Sequence, residues 1–359
     1  MKPQDVKFSN RDQSRFFPVL RHRVDLYFKQ KSLSKLGNQS LVWKGLFMLG
    51  LLLLPYGLIL TNQFPPWACL GFAVAMGLGT AGVGMAVMHD ANHGSFSSVS
   101  WINTLFSGSL YLVGGNVLNW KIQHNTLHHT YTNIHDVDED ITGKFLLRLS
   151  PGDPHRKIHC YQHLYAFFLY GLMTLSFLVK DFRQAYKYTH QKDKKPNQAF
   201  SRLDIGILIS GKALYLVFIA VLPLLMTDLS FGKWLLGFLV MHLTAGVVLS
   251  TIFQLAHVVE GARHPVPDTQ GQLETSWAIH QLQTTANFQC PVALSWFIGG
   301  LDYQIEHHLF PTISHIHYRA LAPIVQQTAQ EYALPYNRKP SFFYALRSHI
   351  RMLRGLGEK

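Results

Sequence analysis

Residues 45–89, GLFMLGLLLLPYGLILTNQFPPWACLGFAVAMGLGTAGVGMAVMH, hold no Asp, Glu, Lys or Arg over 45 consecutive positions. A helix needs only about 20 apolar residues to cross the hydrocarbon layer of a membrane, so this stretch has room for two crossings. Its middle, Asn62-Gln63-Phe64-Pro65, is a short uncharged turn between two apolar runs, 41–61 and 66–88. A helical hairpin with both ends on one side of a membrane follows. That decides the fold class as all-α and integral to a membrane.

The rest of the 359 residues agree with this start. Charged residues make up 14% of the chain and hydrophobic ones 48%, against about 25% charged in soluble domains. Two further runs of spanning length, 205–226 with Lys212 inside it and 234–257, are joined by the short segment 227–233 and predict a second hairpin. Two weaker runs lie between the hairpins. Residues 99–120 are rich in Gly, Ser and Asn, and residues 158–179 carry His159, Gln162 and His163.

Charge decides how the weaker runs are read. Residues 1–40 hold nine Lys or Arg against three acids, and Lys180 to Arg202 hold seven against two. Cytoplasmic loops carry the excess of Lys and Arg, so both segments belong inside. Either weak run crossing alone would put the second basic segment outside. Both crossing would also satisfy the charge rule but would put the histidine groups described below on opposite faces, so four transmembrane helices are expected, with 99–120 and 158–179 lying in the interface or dipping back and a helical cytoplasmic cap at the hairpins. The expected organisation is a basic cytoplasmic segment 1–40, a membrane domain 41–330 and a basic cytoplasmic segment 331–359.

The net charge of +12 could also suggest nucleic acid, but the basic residues flank apolar runs and no nucleic-acid motif accompanies them. No nucleic-acid partner is expected. Cys69, Cys160 and Cys290 are odd in number and widely spaced, which argues against a disulfide framework. The N-terminal segment has no apolar core suited to a signal peptide.

Chemistry concentrates in the histidines, of which there are 20. His89 and His93 stand in HDANH, His124, His128 and His129 in HNTLHH, and His307 and His308 in QIEHH. The cube of the histidine frequency over 359 positions gives about 0.06 chance occurrences of HxxxHH. An HxxxH alone is expected about once, so HNTLHH is the informative motif. On an α-helix an i, i+4 pair faces one way, so His89 with His93, and His124 with His128, can each pinch a metal, while His129 points about 100° away. The hairpins bring all three groups to one face. An all-nitrogen site suits iron, copper, zinc or nickel, and seven imidazoles exceed the needs of one ion. His257 ends the fourth span, where an ionisable group beside lipid needs a partner or a function, and is a candidate eighth ligand.

HDANH, HNTLHH and QIEHH followed by LFP, in this order, resemble the three histidine boxes of the integral-membrane fatty acid desaturases. Gln304 opening the third box, Asn119-Trp120 before the second, the segment HQLQTTANF at 280–288 and Gly299-Gly300-Leu301 are similar to the front-end branch. That branch adds a double bond between an existing one and the carboxyl end of an acyl chain. The resemblance covers about residues 40–330. It implies two iron ions held by His89, His93, His124, His128, His129, His307 and His308, with His257 matching an additional histidine. Asp90, Gln304 and Glu306 lie inside the boxes as candidates for supporting those ligands.

The resemblance further implies a fatty acyl substrate, as acyl-CoA or acyl-lipid, and O2 as co-substrate. Two electrons would enter, hydrogen would leave two adjacent carbons, and two waters would form. No HPGG haem motif of a fused cytochrome b5 occurs in the chain. A separate donor such as ferredoxin or cytochrome b5 is therefore expected. Residues from Trp101 to Trp120 suit either an acyl tunnel or an aromatic anchor at the membrane surface. The acidic run Asp136, Asp138, Glu139 and Asp140 reads first as a helix start or a solvated face, with support of the ligating histidines as the alternative. Alternatives are a lipid hydroxylase on the same scaffold, and a haem-binding or metal-transport protein, the latter suggested by His242 and His257 on one helix.

Overall fold

The computed structural model describes residues 6–9, 15–142, 145–190 and 199–358. Lys2, Arg11, Lys192, Lys194, Lys195 and Lys359, which belong to the basic segments above, lie outside the described residues. The described chain is mostly helical, with one two-residue parallel pair that sets Asn287 beside Arg338 and Phe288 beside Lys339. Four of its helices are long and apolar enough to cross a membrane: Gln39–Leu60, Pro66–Asn92, Arg202–Met226 and Phe231–His257. Their ends agree with the sequence expectation to within four residues. The chain is an integral membrane protein.

The largest difference is at the end of the second span. The sequence ends it at Met88, where the polar box begins. In the structure the helix widens into a π-turn over Gly84–Met88 and continues through His89–Asn92. Neither weak run forms a straight span. Residues 99–120 break into three short helices, Ser100–Ser107, Ser109–Leu112 and Val117–Trp120. Lys157–Gly171 and Met173–His190 meet at a 76° bend.

The chain divides into two compact units. The span unit comprises Gln39–Ile122 and Phe167–Thr251. Its helices approach closely where side chains are smallest. A Cβ on Gly79 would lie 2.5 Å from the Leu52 nitrogen of the first span, and one on Gly77 would lie 2.6 Å from the Met241 carbonyl oxygen of the fourth. Lipid tails are as apolar as Leu, so close packing of this kind supplies much of the attraction between spans.

Lys212 sits inside the third span and is 6% exposed. Its ammonium has three N–H groups, and they donate to the Gly114 carbonyl at 2.5 Å, the Phe177 carbonyl at 2.8 Å and the Asp181 carboxylate. The Asp181 carbonyl in turn accepts from Asn119 Nδ2 at 2.9 Å. One buried charge thus ties the third span to the broken segment 99–120 and to the helix Met173–His190.

The second unit, here the polar unit, takes the chain up to Asn38, then Gln123–Ala166, then everything from Ile252 onward. Its N-terminal helix Phe16–Lys31 buries Phe16, Leu20, Val24 and Phe28, one residue every four, along a single stripe. That stripe packs with Leu282, Ile305, Leu309, Tyr318, Leu321 and Val325 in one apolar core. The short helix Gln304–Leu309, which carries QIEHH, is wholly buried in this unit. Fully burying side chains of this size is worth roughly 1.5–3 kcal/mol each, and the core they form holds the third histidine box rigid.

Candidate metal centre

The second box does not lie on an α-helix. Lys121–His128 is a π-helix, and His129 opens the α-helical turn that follows. Hydrogen bonds from i to i+5 make a π-turn wider than an α-turn, so the residue five places on falls roughly over the first. His129 is therefore not turned away, as α-helical spacing predicts. Its Nε2 lies 3.2 Å from His124 Nε2. Ligands bound to one ion at about 2.0–2.1 Å stand about 3 Å apart at a right angle, so this separation fits two ligands of a common ion.

Within the polar unit the third box and the end of the fourth span join them. Ring centroids lie 4.4 Å apart for His129 and His308, 4.5 Å for His129 and His307, and 4.6 Å for His128 and His257. One donor nitrogen from each of His128, His257 and His308 lies within 4.8 Å of the other two. A nitrogen of His124, one of His128 and a carboxylate oxygen of Asp140 meet within the same limit. Six of the eight histidines singled out in the sequence thus converge in this unit.

The groups behind the rings show which nitrogen each presents. His128 Nδ1 lies 3.1 Å from Asp138 Oδ2 and 3.5 Å from Asp140 Oδ2. Asp138 is fully buried and also accepts from the backbone nitrogens of Asn133 at 2.9 Å and Asp140 at 3.0 Å. His308 Nδ1 lies 2.9 Å from Gln281 Oε1, while Gln281 Nε2 donates to the His129 carbonyl at 3.2 Å. A carbonyl only accepts, which fixes the Gln281 amide and puts the proton of His308 on Nδ1. His307 Nδ1 lies 3.0 Å from the Tyr318 hydroxyl, and His257 Nδ1 3.4 Å from the Thr284 carbonyl. With Nδ1 engaged, each of these rings keeps Nε2 for a metal. His257 Nε2 is buried and has no hydrogen-bond partner among the described residues. Nitrogen and carboxylate donors without a cysteine among them suit iron, so the residues present fit the implied group.

Burial disfavours the protonated His128 ring, but the Asp138 carboxylate and then Asp140 outweigh it, and the ring's pKa is raised. His280, buried in the helix Trp277–Thr284 beside Gln281, is pushed down to about 4, mainly by burial.

His89 and His93 stand together in the span unit, with ring centroids 4.8 Å apart. The Trp120 ring stands edge-on to both, at 5.8 and 5.7 Å. Of the carboxylates inside the boxes, Asp90 Oδ1 lies 3.7 Å from His89 Nδ1. Glu306 turns elsewhere: its oxygens accept from Asn287 Nδ2 at 2.7 Å and from the Tyr336 hydroxyl at 2.9 Å. Burial pushes its pKa up to about 7. Gln304 is buried, and its Nε2 has no hydrogen-bond partner among the described residues.

Sequence reading took Asp138 first for a solvated or helix-start acid, and it assigned no role to Gln281, Tyr318 or Thr132, whose hydroxyl lies 2.9 Å from Gln281 Oε1. The acidic run after the second box was the available signal for Asp138. His242, offered above as a haem ligand, has both nitrogens in hydrogen bonds, Nδ1 with Thr174 Oγ1 at 2.9 Å and Nε2 with the Tyr215 hydroxyl at 2.7 Å. It packs as a satisfied core histidine.

Comparison with known proteins places the chain in a family. The family model described as fatty acid desaturase matches residues 65–340. The chain is 35% identical over 350 residues to the sn-1 linoleoyl-lipid 6-desaturase of Synechocystis sp., covering 96% of each protein. It is 34% identical over 362 residues to the acyl-lipid (8-3)-desaturase of Physcomitrium patens, covering 99% of this chain and 74% of the relative. With the sn-1 linoleoyl-lipid 6-desaturase of Arthrospira platensis the identity is 32%, over 94% of this chain and 92% of the relative. A family match over most of the chain, with relatives above 30% identity along nearly its whole length, makes this protein a member of the fatty acid desaturase family.

Proposed function

We propose that this enzyme adds a double bond to the acyl chain of a membrane glycerolipid, on the carboxyl side of a double bond already present. The observation that carries the reading is the set of six buried, converging histidines, His124, His128, His129, His257, His307 and His308, several with Nδ1 held by a protein acceptor. By the resemblance of HDANH to the family's first histidine box, His89 and His93 would supply the remaining ligands of a two-iron centre. The relatives named as acyl-lipid and linoleoyl-lipid desaturases favour a lipid-bound chain such as a linoleoyl group over acyl-CoA.

The overall change is –CH2–CH2– with O2, two electrons and two protons giving –CH=CH– and two waters. Bound iron supplies the reductive activation of O2 that unactivated C–H bonds require. The protein supplies position and dryness. Asp138, Gln281 and Thr284 hold their rings as Nδ1–H tautomers, so Nε2 lone pairs face inward without reorganisation. A methylene chain offers no polar handle, so regiochemistry rests on how deep an apolar path admits it. Electrons come from a separate acidic carrier such as ferredoxin or cytochrome b5, and the centre faces the cytoplasm.

The test is the lipid profile of a host without polyunsaturates, fed linoleate and expressing this chain with an electron donor. A product with one further double bond nearer the carboxyl end, absent with His128→Ala, is expected. Oxygenated products would transfer the chain to hydroxylation. An unchanged profile with iron-loaded protein and a proven donor would overturn the lipid-bound substrate.

A further inference from the structure

We propose that the span unit binds a phospholipid, distinct from the substrate, at the helix ends remote from His89. A cavity of about 660 Å3, counting its open mouth, lies among all four spans. Ile59, Ala73, Ile219, Trp234 and Met241 are among its walls, and Lys233 is its one charged lining residue.

The depth of the cavity follows from where these residues stand on their helices. Ile59 is next to last in the first span, Pro66 opens the second, and Lys233 is the third residue of the fourth. Met76, the deepest wall residue of the second span, precedes His89 by thirteen residues, about 20 Å of helix. A chain seated here is far from the first histidine box. Trp67 follows the wall residue Pro66 and Phe231 stands two residues before Lys233, and they are 76% and 63% exposed; aromatic residues mark the level of lipid headgroups.

The walls are held in place. Trp234 Nε1 donates to the Ile219 carbonyl at 2.8 Å, and the Tyr56 hydroxyl donates to the Phe218 carbonyl. Asn62 Nδ2 donates to Asp228 Oδ2 at 2.7 Å and closes the outer turns together. Asp228 is thereby occupied, whereas Lys233 is exposed and has neither ion pair nor hydrogen bond among the described residues. An apolar slot at headgroup level, with one uncommitted cation at its rim, selects an acyl chain with an anionic head. A phosphoglyceride meets this, one acyl chain in the slot and its phosphate on Lys233.

The experiment places the full chain in phosphatidylcholine nanodiscs doped with a phosphatidylglycerol whose acyl end carries a diazirine, and maps the labelled peptides after illumination. Labelling concentrated around Ala73 and Met241 is expected. Gly237→Leu fills the slot, since a Cβ there meets only Ala73 Cβ at 4.0 Å. It should cut labelling about tenfold, the loss expected from excluding two buried methylenes. Lys233→Gln, an exposed change that spares the fold, should cut it several-fold and carries the test if Gly237→Leu lowers the thermal midpoint. Equal labelling of wild type and both variants overturns the proposal. So does labelling of the slot by a free diazirine fatty acid but not by the phospholipid.

Discussion

Asp138 governs how His128 is presented, because its buried carboxylate is fixed from two sides before it meets the ring. The backbone nitrogens of Asn133 and Asp140 hold it, and His128 Nδ1 completes the set. Asp138→Asn keeps the shape but removes the charge that polarises the imidazole. Changes at such outer partners cost about 10–100-fold in metal affinity or activity, so iron retention under chelator competition should fall within that range. Asp140→Asn, whose side chain is 34% exposed, should do less. Equal iron retention by Asp138→Asn and wild type would leave Asp138 a purely structural acid. The candidate ligands of the second box were legible from spacing, since three histidines within HNTLHH are improbable by chance. Their supports were not. Gln281 and Tyr318 reach the rings across 27 and 11 residues of sequence, and an acid next to a box reads as solvated because acids usually are.

At the scale of elements, apolar length made the spans legible, while hydrogen-bond register was hidden. No composition rule distinguishes the π-turns at Gly84–Met88 and Lys121–His128 from α-helix, yet the second turns His129 toward His124. The helix Phe16–Lys31 was hidden for another reason: its net basic composition masks a four-residue apolar stripe. Lys212 was visible as an anomaly inside an apolar run, and its three acceptors explain why it is tolerated there. Removing one partner of a buried pair leaves an uncompensated charge, at about 3–5 kcal/mol, whereas replacing both by apolar groups is often neutral or stabilising. Lys212→Met and Asp181→Leu should each lower the thermal midpoint of the purified protein clearly, and the double variant should recover much of the loss. A double variant as unstable as the two singles combined would mean that the carbonyls of Gly114 and Phe177, left without a donor, dominate.

At the scale of the whole molecule, the order of basic and apolar segments makes a testable statement about sidedness. Arg347, Arg351 and Arg354 lie on the exposed side of the helix Phe342–Glu358, whose other side buries Ala345, Leu353 and Leu356. Such a basic face predicts a cytoplasmic position, where the excess of Lys and Arg is found. With four crossings, Gln63 in the first outer turn and Gly355 in the C-terminal helix lie on opposite sides. If the bent pair Lys157–His190 crossed as a fifth span, they would share a side. In a background with the three native cysteines replaced, Gln63→Cys should react with an impermeant maleimide only from outside intact cells. Gly355→Cys, where a Cβ meets nothing within 4 Å, should react only in inverted vesicles. Labelling of both from one side would make the bent pair a true crossing, with Lys180 inside it and Arg202 on the outside. That outcome would also place the third box three crossings away from the first two, so the same experiment tests whether the histidine boxes can share a centre at all.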